Sequence, residues 1–151
     1  MLFFVFGGMV KQFAGDEVLA IFGAPVSYPD HTQRAVKAAL AMQESNRVWQ
    51  IKRKESGQPT FGLKIGLHCG NVVVGSVGSR DRMEYAAVGD VVNTASRVMN
   101  LSSHFGKPTC TLASENVVVR LNSEANAELL GTQNLKGREA STDIYLLSPP
   151  N

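Results

Sequence analysis

The stretch Glu84-Tyr85-Ala86-Ala87-Val88-Gly89-Asp90-Val91-Val92-Asn93-Thr94-Ala95-Ser96-Arg97 constrains this chain more than any other. A short apolar segment leads into Gly89-Asp90, which supplies a turn and an N-cap. From Val91 to Met99 nothing breaks a helix, so the stretch reads as strand or loop, cap, then helix. Asn93 and Arg97 are four apart and share one helical face. An amide beside a guanidinium is a donor-rich pair suited to an anionic oxygen, because arginine stays charged and presents its N–H groups in a fixed fork. Alone, such a pair is an ordinary surface feature; the rest of the chain gives it weight.

A second stretch, Lys11-Gln12-Phe13-Ala14-Gly15-Asp16-Glu17-Val18-Leu19-Ala20-Ile21-Phe22-Gly23-Ala24-Pro25, has apolar runs on both sides of Gly15-Asp16. This predicts a hairpin of Met9 to Ala14 with Val18 to Phe22, whose tip carries a carboxylate able to face a hard cation. Asp30 reads as the cap of a helix running to about Arg53. Phe61 to His68 and Asn71 to Val77 flank Cys69-Gly70 and read as a second hairpin, followed by a loop at Ser79 to Glu84. Thr109 to Leu112 reads as a strand and Ser114 as the cap of a short helix through Arg120. Leu129-Leu130, Leu135 and Ile144 to Leu147 suggest a closing antiparallel pair. Strand pairs alternating with helices predict an α+β fold, an antiparallel-rich sheet with helices packed on it.

Length bounds the answer to one domain with a real core, since the chain has 151 residues, 44% of them hydrophobic and 19% charged. A net charge of +2 is too mild to point to nucleic acid. The basic run Lys52-Arg53-Lys54 reads as a solvated helix end, where cations suit the C-terminal dipole. Cys69 and Cys110 read as buried free thiols, which fits a reducing compartment. No apolar run approaches the ~20 residues that cross a bilayer, and Met1 to Phe6 lacks the basic region of a signal peptide. His68 reads as a satisfied strand histidine and His31 as a solvated first-turn residue, because neither has metal-ligand partners at suitable spacing.

The hairpin, Gly66-Leu67-His68-Cys69-Gly70-Asn71-Val72-Val73-Val74-Gly75, the Gly89 to Arg97 helix, and Leu135-Lys136-Gly137-Arg138 with Ile144-Tyr145 together resemble the class III nucleotidyl cyclase catalytic domain. The resemblance spans nearly the whole chain and rests on several motifs in family order. It implies a ferredoxin-like cyclase fold over residues 1–151, here a partial domain whose first strand and first helices are missing. It implies conversion of a nucleoside triphosphate to the 3′,5′-cyclic monophosphate and pyrophosphate with two Mg²⁺ or Mn²⁺ ions. Asp16 matches the second metal aspartate; the first belongs to the upstream strand. Asn93 matches the residue that orients the ribose, Arg97 the arginine at the α-phosphate, and Lys136 the lysine that grips the terminal phosphates.

Base recognition is where the chain departs from the pattern. Gln12 stands where adenylyl cyclases usually carry lysine, with Lys11 one place off and expected on the opposite side of the strand. Ala86 stands where its aspartate or threonine partner is usual. A glutamine amide both donates and accepts, so adenine and guanine both remain open, with ATP favoured. The resemblance also implies a head-to-tail homodimer with sites at the interface and a cytoplasmic location, tethered or not to a membrane by other segments. By this reading the chain alone is inactive. The alternatives are a guanylate cyclase, or a degenerate cyclase-like domain that dimerises or regulates without turnover.

Overall fold

The computed structural model describes residues 2–79, 82–135 and 140–151. A helical turn, Leu2–Val5 (α1), precedes the strands Gly8–Ala14 (β1) and Glu17–Phe22 (β2), and a long helix follows at His31–Glu55 (α2). Next come Lys64–Leu67 (β3), Val73–Ser79 (β4), Arg82–Val88 (β5) and the helix Asp90–His104 (α3). Cys110–Ser114 (β6), the short helix Glu115–Val118 (α4), Asn126–Gln133 (β7) and Thr142–Ser148 (β8) complete the order.

Four strands form one sheet in the order β3-β6-β8-β7, with β3 parallel to β6 and the other pairs antiparallel. Successive side chains of a strand point to opposite faces, and β6 shows the consequence. Leu112 packs with Val98 of α3, Cys110, Leu135 and Ile144, whereas its neighbour Ala113 packs with Val36 of α2, Val117 of α4 and Leu147. The sheet is therefore covered on both faces, by α3 on one and by α2 with α4 on the other. The pairs β1-β2 and β4-β5 are separate antiparallel ladders.

Two expectations about strands are corrected. Residues 61–68 and 71–77 do not pair with each other: β3 lies against β6, with Lys64 opposite Cys110, and β4 pairs with β5, with Val73 opposite Val88. A local rule joins neighbouring β-branched runs, but a parallel partner needs a long crossover that such a rule does not see. The expected loop at 79–84 is also largely strand, since β4 runs to Ser79 and β5 starts at Arg82. A ladder rests on backbone hydrogen bonds, which every residue but proline can both donate and accept, so polar side chains do not by themselves end a strand.

The caps differ as well. Gly89, not Asp90, is the N-cap of α3. Ser114 and Asp30 occupy cap positions without a side-chain cap bond. Ser114 Oγ is hydrogen bonded to His68 Nδ1 at 2.7 Å, which satisfies that histidine just beyond β3. Asp30 Oδ1 accepts from Arg34 Nε at 2.8 Å, and this bond holds the Asp30 carboxyl below its usual pKa. The basic run ends α2 as expected, but Arg53 also lies over the Trp49 ring and donates to the Pro59 carbonyl at 2.7 Å. Both cysteines are free; Cys69 is only half-buried, and burial pushes the Cys110 thiol up. No helix among the described residues is long and apolar enough to cross a membrane.

Candidate active site

Gly15 turns the chain between β1 and β2 at φ 61°, a conformation that favours glycine, and leaves Asp16 exposed at the hairpin tip. The next residue, Glu17, accepts a hydrogen bond from Ser96 Oγ of α3 at 3.4 Å. The hairpin tip and the central helix of one chain thus approach each other. No group of three or more His, Cys, Asp and Glu side chains that could hold a metal ion occurs among the described residues.

On α3, Thr94, Val98 and Ser102 are buried. Their spacing, four residues apart, makes one stripe toward the sheet and turns Asn93 and Arg97 to its flank. Asn93 is exposed, and the Arg97 side chain keeps 33% of its surface accessible. The helix rests closely on β3 because Gly66 has no side chain. A Cβ there would lie 2.5 Å from the Ala95 carbonyl oxygen and 2.7 Å from Met99 Cβ.

Asp90 Oδ1 lies 3.7 Å from Arg97 Nη1, and Asp90 Oδ2 accepts from Thr94 Oγ1 at 3.3 Å. Arg97 Nη1 is buried without a hydrogen-bond partner among the described residues. From sequence, Asp90 reads only as a cap. Its spacing of seven from Arg97, about two helical turns, was the available signal.

Gln12 is exposed on β1 opposite Leu19, and Ala86 lies on β5 opposite Gly75; β1 adjoins β5, so the two strands proposed for base contact are neighbours. The β1 ladder slips between Val10 and Gln12, which makes Lys11 the extra residue of a bulge. Strict alternation does not carry across a bulge, so the expectation that Lys11 faces away from Gln12 loses its basis. Lys136 lies outside the described residues. Leu135, just before it, is buried against the α3 face of the sheet.

The chain matches the family model "Adenylate and Guanylate cyclase catalytic domain" over residues 10–149. It is 40% identical over 138 residues to Adenylate cyclase 1 of Rhizobium meliloti (strain 1021), a match covering 91% of this chain and 20% of that protein. The chain thus spans about a fifth of that relative's length. Among solved structures it resembles the guanylyl cyclase Cya2, with TM-score 0.86 and 27% identity over 99% of this chain and 74% of the other. It also resembles the guanylate cyclase domain of RhGC from Catenaria anguillulae in complex with GTP, with TM-score 0.81 and 26% identity over 99% and 77% of the two chains. The α+β arrangement is the cyclase fold, and the chain belongs to the adenylate and guanylate cyclase catalytic-domain family.

Proposed function

We propose that the chain is part of a nucleotidyl cyclase that converts ATP to 3′,5′-cyclic AMP and pyrophosphate in intracellular signalling, at composite sites of a head-to-tail homodimer. The observation that carries this reading is the pair on α3: Asn93 exposed and, one turn on, Arg97 with a buried N–H that lacks an acceptor among the described residues. In the reaction the 3′-oxygen attacks the α-phosphorus and the bond to pyrophosphate breaks, so negative charge grows on the phosphoryl oxygens. Arg97 offers fixed donors and a permanent charge to those oxygens. Asn93 holds the ribose so that the 3′-oxygen lies in line. Lys136 is proposed to grip the terminal phosphates, and Gln12 and Ala86 to border the base.

Asp16 suits a hard cation, since it presents exposed carboxylate oxygens at a turn. Mg²⁺ and Mn²⁺ are commonly held by one or two carboxylates with waters and phosphate oxygens. One carboxylate is not a cage, and the upstream strand is proposed to add the other, with 1–151 a partial catalytic domain that is inactive alone. When bound, such ions neutralise charge on the triphosphate and polarise it. One copy is proposed to supply Asp16, and its twin Asn93 and Arg97.

ATP is favoured by the 40% identity to a protein named adenylate cyclase, although the solved relatives above carry guanylyl names. The second reading, a domain that dimerises or regulates without turnover, is favoured by Gln12 and Ala86, which depart from the usual base-contacting residues. The longest in-frame form of the protein, given ATP or GTP with Mg²⁺ or Mn²⁺, separates them. Cyclic AMP formed from ATP in excess of cyclic GMP from GTP is the expected result. Cyclic GMP alone would reverse the base assignment, and neither product would leave the non-catalytic reading.

A further inference from the structure

We infer that Asp90 is a positioning residue for Arg97, holding the guanidinium in place while leaving its donors available for substrate; this rests on the role proposed for Arg97. Asp90 begins α3, and its carboxylate is anchored in turn, because Oδ2 accepts from Thr94 Oγ1 at 3.3 Å and Thr94 is fully buried. The other oxygen stands 3.7 Å from Arg97 Nη1. That gap is too long for a hydrogen bond, yet short for two opposite charges. The carboxylate therefore orients the charge without occupying the N–H. An arginine side chain is long and rotamer-rich, and an unrestrained one would sample many directions from this helix flank. Thr94 faces the sheet, so the core of the domain fixes Thr94, Thr94 fixes Asp90, and Asp90 directs Arg97.

This arrangement makes a kinetic prediction distinct from that for a residue touching substrate. Asp90→Asn keeps the shape and an acceptor for Thr94 while removing the charge. In the longest in-frame form, the expected result is a fall in kcat of about three- to tenfold with KM moved less than about twofold, because orientation matters most as charge develops. A double-mutant cycle supplies the decisive readout. On an Arg97→Ala background, assayed at high enzyme concentration, Asp90→Asn should cause no further loss, since its target is gone. An equal loss on both backgrounds, a change in KM alone, or no effect of Asp90→Asn on the wild-type background overturns the inference. Thermal melting of Asp90→Asn is measured beside the kinetics: a kcat loss tracking a lowered melting point, and persisting on the Arg97→Ala background, assigns Asp90 a structural role and overturns it too. If Arg97→Ala itself leaves turnover unchanged, the reading of Arg97 fails first and the inference falls with it.

Discussion

Arg97→Ala is expected to lower turnover by about 10²–10³-fold, the loss typical when one preorganised donor to a developing oxyanion is removed. The apparent KM for nucleotide should stay within a few-fold, because the interaction strengthens mainly as the bond to pyrophosphate breaks. The donor inventory supports a large effect: Nη1 is without a hydrogen-bond partner among the described residues, and the Arg97 side chain keeps 33% of its surface accessible, so a phosphoryl oxygen can approach a guanidinium whose donors are not all used. The resting ion pair with Asp90 does not cancel this. Both groups are partly exposed, at 33% and 56% of their side-chain surface, and pairs of that kind contribute about 0–1 kcal/mol. Steady-state kinetics on wild type and variant check it, and a rise in KM with unchanged kcat would assign Arg97 to ground-state binding instead.

Gly66→Ala is expected to disturb the seat of α3 on β3 and to lower both stability and turnover. The added Cβ would lie 2.5 Å from the Ala95 carbonyl oxygen, with the Met99 backbone nitrogen also in its way. Neither is the far end of a flexible side chain, so α3 must lift from β3. Overpacking of this kind costs about 1–3 kcal/mol, or about 3–10 °C in melting temperature for a chain of this size. The lift would also move Asn93 and Arg97, so turnover should fall more than stability alone explains. Thermal melting by circular dichroism, beside turnover measured well below the melting point, separates the two effects. An unchanged melting temperature would show that α3 does not rest on Gly66 as described.

Local signals carried much of the fold. Gly15-Asp16 marked the β1-β2 hairpin, and α2 and α3 were readable because each runs from a turn to a turn without a breaker. Tertiary choices were not readable. The parallel match of Lys64 with Cys110 depends on a crossover through β4, β5 and α3, while the β-branched residues around Cys69-Gly70 fit a local hairpin just as well. In the site, Asn93 and Arg97 could be placed on one face from helical spacing alone. The Asp90 contact was obscured because an acidic residue after glycine also reads as a cap. Lys136 rests on its motif and lies outside the described residues. Ala86 is placed by its strand pairing with Gly75.

Subunit mixing tests the composite site most directly. Asp16→Asn and Arg97→Ala, each made in the longest in-frame form, should each be nearly inactive alone. If one copy supplies Asp16 and its twin supplies Arg97, half of randomly paired dimers carry one site with both residues intact, and the mixture should regain about a quarter of wild-type activity. The hydrogen bond from Ser96 to Glu17 within one chain makes the opposite outcome concrete. A mixture no more active than its components, under conditions where the chains exchange, would mean that Asp16 and Arg97 serve the same site from the same chain, and the head-to-tail account would be wrong.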